Sequence, residues 1–141
     1  MTDILAFVRS DRDTDWVARS LIRLHEREDI RVHLLSVRPP FNGHVRMFFN
    51  EEQVHAFHLE DAQSELAPLR AALAAAHVPH DSHMAVGYAA EEIVKFAQGN
   101  RCDRIVIGPP KGNGVSKLVL GSLSRQIEHM MQLAGTTCEL V

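Results

Sequence analysis

A chain of 141 residues is long enough to bury one core without disulfide or metal staples, and too short for two ordinary domains. Apolar residues make up 45% and charged residues 23%, an ordinary soluble composition, and the formal charge of −3 argues against a nucleic-acid or acidic-membrane partner. No stretch reaches the roughly 20 apolar residues of a membrane span, and Asp3 stands where a signal peptide carries Lys or Arg, so a cytoplasmic location is expected.

Short apolar runs alternate with longer helical stretches along the whole of 1–141, the pattern of a single domain with a parallel sheet and helices on both faces. Asp3–Val8 reads as a first buried strand. Asp13 is placed to cap a helix through about Arg27, with Val17, Leu21 and Leu24 at helical spacing. Arg31–Val37 is a second strand, ended by Pro39 and Pro40, which lack backbone donors. From Phe41 to Asn50, turn chemistry at Asn42–Gly43 is mixed with Val45, Met47, Phe48 and Phe49, and this loop is expected to lie against the domain. A long helix follows from about Glu51 to Ala76, with Val54, Phe57, Leu66, Leu69, Leu73 and Ala76 as its buried stripe, interrupted at Asp61 and Ala62. Pro68 is expected to kink or restart it.

His80–Val86 is a third strand and Gly87 a turn. Glu91 and Glu92 favour the start of a short helix through about Gln98, which Gly99–Asn100 closes. Asp103–Ile107 is a fourth strand. Ser122 is a natural cap for a helix through about Leu133, ended by Gly135, and Thr136–Val141 is a fifth strand. The result is a doubly wound sheet of five parallel strands. Cys102 and Cys138 have no metal or redox spacing and read as small residues buried or half-buried in adjacent strands.

In such a sheet, ligands bind beyond the C-terminal strand ends, where the strand order reverses. Arg9–Asp13, Val37–Pro40 and Gly108–Gly121 should meet there. The third stretch punctuates a strand-to-helix connection with Gly108, Gly112, Gly114 and Gly121, which suits a backbone that turns successive N–H groups toward an anion. The helix opening at Ser122 adds unpaired N–H groups and a positive dipole end. From Arg104 to Ile127 there is no acid, whereas Arg104, Lys111, Lys117 and Arg125 are basic. A tight turn alone would also use glycines, so a phosphate-bearing ligand and a purely structural loop both remain open at this level. The loop is neither a Walker loop nor the dinucleotide fingerprint.

On these residues the chain resembles the universal stress protein family along essentially its whole length. The family pattern after strand four is Gly, two residues, Gly, nine residues, then Gly-Ser or Gly-Thr. Gly108 matches its first position and Gly121–Ser122 its last pair. The block Asp103-Arg104-Ile105-Val106-Ile107-Gly108 is similar to the family's fourth strand, and Gly87-Tyr88-Ala89-Ala90-Glu91-Glu92-Ile93 to the start of its third helix. The resemblance implies a flavodoxin-like sheet of order 3-2-1-4-5 and an ATP or other adenine-nucleotide site. Its candidate residues are Val37, Ile107, Gly108, Lys111, Gly112, Gly114, Gly121 and Ser122: Gly108, Gly121 and Ser122 for phosphate, and Val37 for a backbone contact to adenine.

Two positions depart from the ATP-binding pattern. Its second glycine falls on Lys111, one place before Gly112, and its aspartate after strand one is Arg9, which has donors but no acceptor. The resemblance therefore implies either a non-enzymatic, nucleotide-responsive stress protein or a dimeric scaffold that has lost nucleotide binding. Slow ATP hydrolysis is a weaker third reading, because no base is identifiable. A homodimer through the C-terminal edge strand is implied in each case. Nine histidines, including His55/His58 and His77/His80/His83, carry no metal-site spacing, so no metal is expected; protonation near neutral pH is their expected property.

Overall fold

The computed structural model describes residues 1–8, 13–40, 43, 47–107, 122–134 and 139–140. Strands β1 (Thr2–Phe7), β2 (Ile30–Arg38), β3 (His80–Val86) and β4 (Arg104–Val106) form a parallel sheet in the order β3-β2-β1-β4. Outside β4, the short β5 (Glu139–Leu140) sets Glu139 beside Arg104 and Leu140 beside Ile105. The rest of the expected strand 136–141 lies outside the described residues. Among the described residues, helices run over Thr14–Arg27 (α1), Glu51–Ala75 (α2), Ala89–Gly99 (α3) and Ser122–Ala134 (α4).

Successive strand side chains point to opposite faces, and here both faces are covered. Ile4 and Ala6 of β1, with Ile30, Val32 and Leu34 of β2, pack against Val17 and Leu21 of α1 and Leu66, Leu69 and Leu73 of α2. Leu5 and Phe7, with Leu35, Val37, Ile105 and Ile107, pack on the other face against Ile93 and Val94 of α3 and Ile127 and Met131 of α4. This two-sided burial explains why Ile4–Val8 reads as an unbroken apolar run.

The buried stripe of α2 is Val54, His58, Ala62, Leu66, Leu69 and Leu73. Ala62 belongs to the stripe rather than interrupting it, and Phe57 does not. One residue from the inward position is a rotation of about 100°, so Phe57 turns out and meets Phe49 edge-on, with ring centroids 5.2 Å apart. The expected restart at Pro68 is also absent, since the helix continues through it. Burial of Leu66, Leu69 and Leu73 on either side, at about 1.5–3 kcal/mol each, offsets the ~3 kcal/mol cost of an interior proline. At its start, Asn50 and Gln53 exchange side-chain-to-backbone bonds of 2.8 and 3.0 Å in a capping box. Asn50→Ala is expected to lower unfolding stability by about 1 kcal/mol in urea titrations.

Asp13 does not cap α1 as expected: its backbone is already helical, which carries its carboxylate away from the geometry of a capping bond. The ends of α2 and α3 are built alike. In α3 the left-handed residue is Arg101 (φ 52°), not Gly99 or Asn100, and Cys102 N–H bonds to Ala97 O at 2.9 Å while Arg101 N–H bonds to Gln98 O at 3.3 Å. In α2, His77 (φ 57°) takes that place, with Val78 N–H on Leu73 O at 2.9 Å and His77 N–H on Ala74 O at 3.1 Å. Both are Schellman closures with a side chain where glycine is favoured. His77→Gly is accordingly expected to raise stability by about 1 kcal/mol in thermal or urea unfolding. Cys102 is buried, as expected, but lies just ahead of β4 rather than in a strand; Cys138 lies outside the described residues.

The segment before α2 departs from expectation. Met47 is 80% and Phe48 70% exposed, so this end of the loop does not fold down onto the core.

Candidate functional site

β1 lies between β2 and β4, so the strand order reverses between β1 and β4, and each helix begins at the C-terminal end of the strand before it. The crevice of an open sheet opens at that end. Val37, which pairs with Ala85 across β2 and β3, and Ile107, just past β4, are 8% and 2% exposed. They meet with Phe7 in one apolar cluster at the strand ends. Ser122 is the first helical residue of α4 rather than a residue ahead of it. Gly108, Lys111, Gly112, Gly114 and Gly121 lie outside the described residues, as do Arg9 and Asp11.

Helix N-termini carry positive partial charge, which carboxylates at α2 (Glu51, Glu52), α3 (Glu91, Glu92) and α1 (Asp15) locally offset. The first turn of α4 holds no acid. Among the described residues, it is the one start of α1, α2, α3 and α4 whose field is left for something other than the chain's own first-turn carboxylates.

Arg104 does not contribute to this charge, contrary to expectation. It begins β4 at the opposite end of the sheet and forms a two-pronged pair with Glu28 at 2.8 and 3.0 Å. That hydrogen-bonded pair holds the Glu28 carboxyl below its ordinary pKa. Arg38, at the correct end, is likewise engaged: it pairs with Glu65 of α2, whose other oxygen accepts from Ser36 Oγ at 2.9 Å. These contacts clamp the last residues of β2 to α2. Gly87 N–H then bonds Arg38 O at 3.0 Å, carrying the β2–β3 contact past the strand end. Gly87 has φ 157°, and a Cβ there would stand 2.6 Å from Glu92 Oε1. Gly87→Ala is expected to cost about 1–2 kcal/mol of unfolding free energy, read by urea titration.

A separate open cleft of about 610 Å³ lies between the start of α2 and the end of β3, lined by Phe49, Asn50, Glu51, Val54, His55, His58 and Val86. None of these residues was singled out for ligand binding by sequence. His58 points inward, with Nε2 3.1 Å from Pro39 O, while His55 is exposed. His77, His80 and His83 do not converge: His77 is exposed, His80 Nδ1 meets Val78 O at 2.8 Å, and His83 meets His33. Among the described residues no three His, Cys, Asp or Glu side chains are grouped to hold a metal, and no helix is long and apolar enough to cross a membrane.

The fold defines an open α/β domain whose strand order reverses between β1 and β4. The profile of the universal stress protein family matches residues 1–129, and the chain belongs to that family. Solved structures with the same fold include a universal stress protein from Archaeoglobus fulgidus in complex with dAMP, at 15% identity and TM-score 0.65, covering 100% of this chain and 95% of that one. Another is a family protein from Arabidopsis thaliana with AMP bound, at 13% identity and TM-score 0.63, covering 100% and 90%. A third, from Lactobacillus plantarum, has 18% identity and TM-score 0.65, covering 99% and 95%. Comparison with curated protein sequences gives no match.

Proposed function

We propose that this chain is a nucleotide-responsive stress protein that takes ATP or another adenine nucleotide at the C-terminal ends of β1 and β4, and acts without catalysis. The observation that carries this reading is the acid-free start of α4, preceded in sequence by a glycine-punctuated loop with Lys111 and Lys117. The dAMP and AMP complexes of relatives with the same fold support the choice of adenine nucleotide. In this reading Gly108, Lys111, Gly112, Gly114, Gly121 and Ser122 surround the phosphates and ribose. Val37 offers backbone to adenine, and Ile107 floors the crevice. Binding orders the loop, and a protein partner reads the ordered form.

The protein is cytoplasmic and dimeric in this reading, with residues 136–141 supplying the outer edge through which two copies pair. A second reading, a dimeric scaffold without nucleotide, is favoured by Arg9 and Lys111, which stand where the ATP-binding pattern has aspartate and glycine. One experiment separates them. Small molecules released from freshly purified protein are identified by mass spectrometry, and ATP and AMP are titrated calorimetrically. Co-purified adenine nucleotide or saturable binding supports the first reading. No nucleotide and no binding at millimolar ATP would leave the scaffold.

A further inference from the structure

A chain of ionisable groups crosses three strands on the face of the sheet covered by α3, away from the ligand end. Asp3 of β1 approaches His33 of β2, with Oδ1 2.9 Å from Nε2. The other nitrogen of His33, Nδ1, is 3.1 Å from Nε2 of His83 on β3. His33 is 8% exposed and His83 half-buried. Phe96 of α3 closes over both rings, its centroid 5.7 Å from His33 and 4.7 Å from His83. Beside them, Arg31 of β2 binds Asp81 of β3. Asp3, Arg31 and Asp81 are thus the charged groups around the pair on β1, β2 and β3, and α3 presents an apolar ring.

The contacts dictate the proton positions. With Asp3 ionised, His33 donates through Nε2–H, so its Nδ1 carries a lone pair and accepts from Nε2–H of His83. One added proton preserves every contact. It lands on Nδ1 of His83, the Nε2 proton of His83 passes to Nδ1 of His33, and His33 becomes an imidazolium held by Asp3. His83 is again neutral, now accepting through Nε2. A second proton has no such solution, because two cationic rings would set N–H against N–H at 3.1 Å.

We propose that Asp3, His33 and His83 form a proton-sensing latch that accepts one proton without structural change and releases β3 from β2 on the second. Burial pushes the His83 pKa down, the charge of His33 pushes it further and Arg31 adds to this, while Asp81 opposes them. The linkage follows from that direction. The folded pKa lies below the ordinary 6.5, so the unfolded chain takes the proton first. Stability is therefore full above that value and falls as pH is lowered through it, until the folded pKa is passed. β3 is an edge strand held on one side by β2, so the loss is expected there first.

The test combines nitrogen-resolved NMR of the imidazoles with amide hydrogen exchange, normalised to intrinsic rates, between pH 8 and 5. In the first protonation step the proton of His83 is expected to move from Nε2 to Nδ1, and the second step is expected below pH 6.5. Protection of residues 80–86 should then drop relative to β1, roughly tenfold for each unit by which His83 is depressed. His83→Gln should flatten that pH dependence, and Asp3→Asn should weaken uptake of the first proton. Two rings titrating independently near pH 6.5 would overturn the proposal, as would an equal loss of β3 protection in wild type and His83→Gln. If the variants fail to fold, the wild-type imidazole spectra decide alone. Nucleotide binding is not part of the measurement, so its outcome is separate from that of the proposed ligand site.

Discussion

Gly121→Val is expected to weaken adenine-nucleotide binding by about thirtyfold or more, equivalent to roughly 2 kcal/mol, while leaving the far-ultraviolet spectrum and solution mass of the protein intact. The residue immediately precedes Ser122, where α4 begins. A phosphate reaches helix-start N–H groups only if the backbone ahead of them can be approached closely, which a side chain branched at Cβ obstructs. Calorimetric titration of ATP and AMP into both proteins measures the effect. A glycine present only for a tight turn would give a different result: stability would fall and affinity, corrected for folded fraction, would not.

The second large effect is in the core. Leu69→Ala is expected to cost about 2–5 kcal/mol, a large share of the roughly 5–15 kcal/mol that holds a domain folded. Leu69 is fully buried between α2 and the sheet, with Leu66, Leu73 and Val78 around it. Leu59, on the same helix, is 40% exposed. Leu59→Ala should cost well under half as much, and the difference isolates burial from helix propensity. Equal midpoints in urea for the two variants would mean that α2 does not contribute its buried stripe to the folded core.

Sequence was most informative where one local rule acted alone. His80–Val86 was bounded correctly because turn residues flank an isolated strand on both sides, and the alternation of strand and helix announced the parallel sheet, whose order β3-β2-β1-β4 was implied by the family resemblance. It failed where two rules competed. Pro68 weakens a helix locally, yet three buried leucines decide the outcome through tertiary packing. Phe57 is the larger apolar side chain, yet helical phase selects His58 for the inward position. Gly99 is the better left-handed residue, yet the last packed turn of α3 places that conformation at Arg101.

Charge was the least legible property of the site. Arg104 adds to the basic count next to the loop in sequence, but a strand carries its two ends far apart, and Glu28 neutralises it at the other end. Conversely, the neighbours of the α4 N-terminus became informative only once the starts of α1, α2, α3 and α4 were seen at the same end of the sheet. The pairing of His33 with His83 is a diagonal contact between separate strands, in which His83 stands opposite Leu35, and no local spacing encodes it. The only hint was the abundance of imidazoles.

The central position of β1 also orders events in time. Its partner β2 follows after one helix, but β4 comes from the far side of the chain, Ile4 lying beside Arg104 and Ala6 beside Val106. During synthesis, β1, α1, β2, α2 and β3 can assemble while one layer of the sheet, bearing Leu5, Phe7, Leu35 and Val37, still awaits α3 and α4. That nascent half has a sticky apolar side and an unpaired strand, the combination that invites misassembly. Chains released before α4 is complete should therefore aggregate, and the late joining of β4 to β1 is the expected slow step of refolding.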